Sequence, residues 1–386
     1  MKNMTYYQML VSRRIGGAAK VALAVGEYVN RTGSARSRIL APKGGVAGQA
    51  AHERGLSCDQ YNLDRLVQGG RFAGAIESTV LLRKTAFSAG IVHVHSPVVF
   101  GAARLFRKLS GLKPVLHIHL DFQADDLHWA LMRPPELTIV CAEFMRPAVL
   151  NALGAAGHRN SKVRVIRNAV DLERFAFLDK HLAKTSIGAV EKLPLAMVVA
   201  NISPHKGQMT CIRAIAELKR RGRHVQLWVV GESRDPGRGY ENELRAACAE
   251  FGVEELVHFA GFRSDVEVLF RAADFVLLPS ISEGLPLSIL EAQASGAVVL
   301  AAPTAGIPEV VRDARTGYLV AADDPDGYAS RIEQLLLDNS KMRELRNAAR
   351  QYVEAEHDLQ KYCGRIVSEY EDLLEAQPTR EKSTVG

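Results

Sequence analysis

The sequence predicts an α/β protein built of two doubly wound, Rossmann-like domains. Three observations carry that prediction. Near-continuous Val/Ile/Leu runs alternate with helical stretches along the chain, the pattern of parallel sheets covered on both faces. The alternation breaks once, at the polar stretch from Ala176 to Leu193, and restarts at Leu195. The 386 residues suffice for two domains of about 150 residues each. Two such domains in tandem would face each other across a cleft, with ligands at the C-terminal ends of the strands.

In the first half, strands are read at YYQMLVS, SRILAP, IVHVHS, VLHIHL, LTIVCAE and KVRVIRN. Between them lie helical patterns such as GGAAKVALAVGEYVNR and the stretch around Phe144 to Leu153. In the second half the strands are LAMVVAN, VQLWVVGE, VHFAG, FVLLPS, AVVLAA and GYLVAAD. The Ala176–Leu193 stretch lacks clear periodicity and reads as a linker. The N-terminal domain is thus placed at 1–178 and the C-terminal domain at 190–355. A last helix, from about 358 to 376, is expected to join the first domain. The tail 377–386, QPTREKSTVG, is polar and expected to be disordered.

Composition narrows the classes. No run approaches the roughly 18 apolar residues of a membrane span. MKNMTYYQMLVSRR lacks the apolar core and cleavage site of a secretory signal, so a cytoplasmic location is expected. The five cysteines are scattered without C-x-x-C, which fits reduced thiols. Residues 1–178 carry 24 Lys and Arg against 12 Asp and Glu, and the remainder carries 25 against 31. A basic half beside an acidic half points to domains with different partners, although a solvated basic surface has the same composition. Nucleic acid is not expected among them.

The most informative stretch is PSISEGLPLSILEAQASGAVVLAAPTAGIPEVV. The strand FVLLPS ends at Ser280, a Ser-Glu-Gly turn follows, and Pro286 suits the first turn of a helix. The backbone N–H groups of Leu287 and Ser288 would then be open to a phosphate. Glu283 at the mouth can take sugar hydroxyls. Glu291, about 8–9 Å further along, can take ribose hydroxyls. A plain surface helix with an acid favouring its dipole has the same spacing.

The E-x7-E pattern of EGLPLSILE, followed by AGIPEVV and TGYLV, resembles the retaining glycosyltransferases of family 4, which have the GT-B fold. VIRNAVDLERF resembles the segment that ends their N-terminal domain, and VVANISPHKG their donor-phosphate segment. HFAGFRSDVEVLFRAADFVLLPS resembles their nucleotide-binding strand and helix, and RRIGGAAKVALAVGEYV their glycine-rich first loop. The match covers most of the chain in order.

The resemblance implies a nucleotide-diphosphate-sugar donor, UDP or GDP, held by the C-terminal domain, and an acceptor held by the N-terminal domain. It implies that Glu283 contacts the transferred sugar, Glu291 the ribose and Lys206 the diphosphate. Gly16 and Gly17 would let backbone approach the reacting centre, and Phe262 and Arg263 would lie near the base. The family commonly has Arg where this chain has Asn201, which donates a hydrogen bond but no charge. Charge compensation would then fall to Lys206, the helix after Pro286, and Arg13 or Arg14. No metal or other cofactor is expected.

A competing reading comes from KPVLHIHLDFQADDLHW, whose His117-x-His119-x-Asp121 begins like a zinc-hydrolase signature. Asp125, Asp126 and His128 add ligand types, but Phe122 stands where that signature needs His. His93 and His95 repeat the H-x-H pattern on the preceding strand, which suggests a repeated structural environment. His181 falls in the linker and His205 beside Lys206. The glycosyltransferase resemblance assigns His119 a place near the donor sugar, leaving His117 as a satisfied core histidine. With no placed carboxylate nucleophile, same-face transfer is favoured over double displacement.

The expected function is therefore a retaining, metal-independent glycosyltransferase acting in cell-surface polysaccharide or lipid-linked glycan biosynthesis. Alternatives are a small-molecule acceptor, a sugar-nucleotide epimerase of the same fold, and a non-catalytic sugar-binding protein. An oxidoreductase lacks its G-x-G-x-x-G. The stretch VVFGAARLFRKLSGLKP sets Arg104, Arg107 and Lys108 beside Phe100, Phe106 and Leu109. Such a helix suits peripheral contact with an anionic membrane, or simply covers the sheet.

Overall fold

The computed structural model describes residues 4–68, 77–81, 85, 89–101, 111–177, 179–233 and 235–375. The basic stretch at Arg104–Leu109 and the tail 377–386 lie outside these residues. The chain forms two compact units, one of residues 1–166 with 360 onward and one of 167–359. Residues 167–178 therefore belong to the second unit.

The first unit holds a seven-stranded, all-parallel sheet. Its strands are β1 (Thr5–Met9), β2 (Arg36–Pro42), β3 (Ser57–Tyr61), β4 (Gly90–Val94), β5 (Leu112–Ile118), β6 (Leu137–Val140) and β7 (Val163–Val165), in the order β3-β2-β1-β4-β5-β6-β7. The order reverses direction between β1 and β4, which pair in parallel with Gln8 opposite His93. β3, SCDQY, is the strand that the sequence conceals. It sits at the edge, carries no β-branched residue, and has only Tyr61 buried.

The helix Gly17–Thr32 follows β1 and buries Ala22, Leu23 and Val25. The helix Leu359–Glu375 packs against the face of β1 and β4 that carries Tyr6, Gln8 and His93. Tyr370 meets the Tyr6 ring edge-on at 5.0 Å and hydrogen-bonds both Gln8 and His93. The apolar stripe of Ile366, Val367, Tyr370 and Leu373 gives that helix its inward face.

The second unit repeats the plan with six strands. They are β8 (Leu195–Val199), β9 (Gln226–Val230), β10 (Val257–Gly261), β11 (Phe275–Leu278), β12 (Val298–Ala301) and β13 (Tyr318–Leu319), in the order β10-β9-β8-β11-β12-β13. All pair in parallel, and the switch in direction lies between β8 and β11. Val198, Leu227, Val229, Leu277 and Leu300 form a core with Ile212, Ile215 and Leu218 of the helix Gln208–Arg220. The all-parallel architecture is the one that strand composition predicts.

The supposed linker contains a helix, Lys180–Ile187. Asp179 caps it, accepting from the N–H groups of His181 (2.8 Å) and Leu182 (3.2 Å), and Gly188 ends it at φ 75°. Its inward residues are Ala183 and Lys184, so it has no apolar stripe to read. It is anchored by charge instead. Lys180 and Lys184 reach Asp274 at 2.8 and 2.7 Å, and Arg346 joins at 3.2 Å. Despite burial, these cations hold the Asp274 carboxyl down at about 2, while burial pulls Lys180 down to about 8.

Candidate functional site

The loops that follow β8 and β11 at the switch point of the second sheet are tied together. After β8 the chain passes Asn201, makes one turn at Pro204–Lys206, and enters the next helix through Gly207. Gly207 has φ 71°, and a Cβ there would stand 2.2 Å from the carbonyl oxygen of Pro279, just after β11. Only glycine permits both that conformation and that approach. Ser280 Oγ and the Ile281 N–H each donate to the His205 carbonyl, at 2.9 and 3.0 Å.

This stitching brings Lys206 Nζ to 2.6 Å from Glu283 Oε1. The side chains retain 22% and 11% of their exposure, so the pair is reachable yet poorly screened. The Glu283 turn is held from behind. Thr304 Oγ1 donates to the Ser280 carbonyl at 2.7 Å, the Gly306 N–H to the Gly284 carbonyl at 3.1 Å, and Asn168 Nδ2 to the Leu285 carbonyl at 2.8 Å.

The helix Leu287–Ala294 starts there. Pro286 is its N-cap, extended at φ −71° and ψ 119°, and not the first helical residue. Pro286 offers no side-chain acceptor, so no side chain caps the helix and the N–H groups of Leu287 and Ser288 head it. Glu291, inside the helix, is buried at 6% exposure. Lys206, Glu283, Leu287, Ser288 and Glu291 therefore belong to two neighbouring loop–helix junctions.

The other residues singled out from the sequence are dispersed. Asn201 is exposed just after β8, and its carbonyl accepts from Gln208 at 2.9 Å. Phe262 is 68% exposed after β10, and Arg263 is committed to Asp265 through two hydrogen bonds, which raise the guanidinium and lower the carboxyl. In the first unit, Gly16 is the N-cap and Gly17 the first residue of the helix after β1. Nothing lies within 4 Å of a Cβ added at Gly16, so the protein itself does not require glycine there. Arg13 is already engaged by Asp64 at 2.6 Å.

The histidines form one cluster, not two repeated environments. His93 and His95 of the β4 segment and His117 and His119 of the β5 segment share a sheet face, with ring centroids 3.9 to 5.7 Å apart. Burial, reinforced for the three inner rings by their neighbours, drives all four well below the usual imidazole range. They are neutral at physiological pH. His119 Nε2 lies 3.0 Å from His95 Nδ1, and His95 Nε2 2.9 Å from Gln8 Oε1. His117 is not satisfied: among the described residues neither of its buried nitrogens has a partner.

His93, His95 and His117 bring nitrogens within 4.8 Å of one another. They still do not fit a metal. The His93 and His117 rings are parallel to within 4°, at 5.2 Å, so their in-plane lone pairs cannot converge on one ion. Both nitrogens of His95 are also in use.

Two α/β units, each with an all-parallel sheet and a switch in strand direction, define a doubly wound two-domain architecture, and comparison with known proteins names its family. Residues 179–352 match the family described as Glycosyl transferases group 1, and residues 15–174 match Glycosyltransferase Family 4. The chain belongs to these glycosyltransferases and has the GT-B fold. It is 34% identical over 193 residues to D-inositol 3-phosphate glycosyltransferase of Nocardia farcinica, covering 49% of this chain and 43% of that one. The Mycobacterium marinum protein of the same name is 34% identical over 182 residues, covering 47% and 38%. The chain thus spans less than half the length of these curated relatives.

Among solved structures, Anabaena HepE in complex with UDP and glucose superposes with a TM-score of 0.83 at 20% identity, covering 96% of this chain and all of that one. A glycosyltransferase from Rickettsia africae gives 0.84 at 19% identity, covering 98% and all. Among the described residues, no helix is long and apolar enough to cross a membrane.

Proposed function

We propose that the protein transfers a sugar from a nucleotide-diphosphate-sugar to a hydroxyl acceptor, with retention and without a metal. The observation that carries this reading is the Lys206–Glu283 pair, 2.6 Å apart at the head of an uncapped helix. A diphosphate arriving there meets one cation and the helix N–H groups, and it competes with Glu283 for Lys206. Glu283, released from the lysine, then accepts hydroxyl hydrogens of the transferred sugar. Glu291 takes the ribose, while Asn201 adds a neutral donor beside Lys206. Phe262 and Arg263 flank the base, and the backbone at Gly16 and Gly17 approaches the reacting centre.

His119 supplies a neutral imidazole to the sugar, where it stabilises charge developing at the anomeric carbon. The bond from that carbon to the phosphate oxygen breaks as the acceptor oxygen bonds on the same face. The departing phosphate oxygen takes the acceptor's proton, so charge and atoms balance without a protein base. The acceptor class proposed is a polysaccharide precursor or lipid-linked glycan at the inner face of the cytoplasmic membrane. A soluble phosphorylated polyol stands second, because the curated relatives are named for inositol 3-phosphate.

A thermal-shift screen tests donor binding, with UDP-glucose first because HepE holds UDP and glucose, then GDP-sugars. Anomeric NMR of the product tests retention. Glu283→Ala is expected to abolish transfer with the melting temperature nearly kept, and near-normal turnover would sink the assignment. Isomerised donor in the absence of acceptor would favour the epimerase.

A further inference from the structure

We propose that His95 is a positioning residue. Held by Gln8, which is itself hydrogen-bonded to Tyr370, it fixes the proton of His119 on Nε2 and leaves His119 Nδ1 a bare acceptor. The proposal rests on the reading of His119 given above, and adds residues for which that reading has no role.

The polarity of the network follows from donor and acceptor counting. Gln8 is fully buried on β1, with Nε2 donating to Tyr370 OH at 3.2 Å and Oε1 facing His95 Nε2 at 2.9 Å. An amide oxygen only accepts, so His95 carries its proton on Nε2. His95 is 3% exposed, and burial keeps it neutral, so its Nδ1 is bare. That bare nitrogen faces His119 Nε2 at 3.0 Å, so the proton between them belongs to His119 Nε2. His119 is neutral too, which leaves its Nδ1 without a proton.

At the other end Tyr370 OH accepts from Gln8 and gives its own proton to His93 Nδ1, which leaves the His93 proton on Nε2, a buried nitrogen without a partner among the described residues. Reversing the Gln8 amide would reverse every tautomer in the series and put a proton on His119 Nδ1. The buried glutamine therefore decides whether His119 accepts from a sugar hydroxyl or donates to it. A carboxylate at position 8 could not make this choice, because it cannot donate to Tyr370. Stacking adds orientation: the His117 ring lies 3.9 Å from His119, and His95 5.3 Å.

The test is nitrogen NMR of the wild-type chain with 15N-labelled histidine, assigned with His119→Gln. The expected result is a protonated Nε2 and a bare Nδ1 on His119, with scalar coupling through the hydrogen bond to His95 Nδ1. A protonated His119 Nδ1, or no coupling between the two rings, overturns the proposal whether or not any variant folds. In kinetics, His95→Leu is expected to lower kcat about tenfold or more with donor KM within about twofold. His95→Gln, which offers an acceptor to His119 and a donor to Gln8, is expected to restore most of it. Equal kcat in His95→Leu and wild type overturns the positioning role. Normal turnover in His119→Ala, with the coupling intact in the wild type, would instead sink the reading of His119 itself.

Discussion

Acidification should destabilise the first unit before its carboxylates titrate. His93, His95 and His117 are at most 3% exposed, and burial lowers each imidazole far below its ordinary 6.5. The unfolded chain binds those protons and the folded chain does not. Unfolding is therefore favoured as pH falls below about 6.5, and stability rises with pH across that window. At pH 5.5 each histidine gives the unfolded state about 1.4 kcal/mol relative to pH 7.5. His119, lowered by burial as well, makes four, and together they give about 5.5 kcal/mol, against a typical domain stability of about 5–15 kcal/mol.

Urea unfolding followed by circular dichroism at pH 7.5 and 5.5, fitted with one transition for each unit, measures the loss. His117→Leu is the control. Neither ring nitrogen has a partner among the described residues, so its removal relieves a buried orphan. It should hold or raise stability at pH 7.5 by about 1 kcal/mol and cut the acid loss by about a quarter. A loss below about 1 kcal/mol in the wild type would show that the cluster takes up protons while folded, and the reasoning would fail.

Three further outcomes follow from the second unit. Asp274→Asn leaves Lys180, Lys184 and Arg346 gathered without a carboxylate; urea titration should show a loss of about 3–5 kcal/mol, and a loss under 1 would mean that the cations relax to solvent. Gly207→Ala places a Cβ 2.2 Å from the Pro279 carbonyl at φ 71°. It should separate Lys206 from Glu283 and weaken binding of UDP-glucose at least tenfold by calorimetry, whereas an unchanged affinity would uncouple that junction from the donor. Asn201→Arg restores a cation beside Lys206 and should leave donor affinity equal or tighter; a large loss would remove Asn201 from the phosphate site.

The sequence by itself determined the parallel α/β class, because strands buried on both faces must be nearly all Val, Ile and Leu. It also determined the family, because VIRNAVDLERF, VVANISPHKG and EGLPLSILE occur in the family's order. Elements held by polar contacts were illegible. β3 is an edge strand with one buried residue, and the helix Lys180–Ile187 is anchored by lysines on Asp274, so neither shows an apolar period.

Only the tertiary structure decided which polar residues meet. Lys206 and Glu283 stand 77 positions apart, and they touch because Gly207 admits the Pro279 carbonyl. Gln8 and Tyr370 stand 362 positions apart, joined because the last helix lies on the face of β1. In sequence, His95 is one more histidine on an apolar strand. Its meaning comes from the partner on each ring nitrogen, and no local pattern encodes partners that the sheet order brings together.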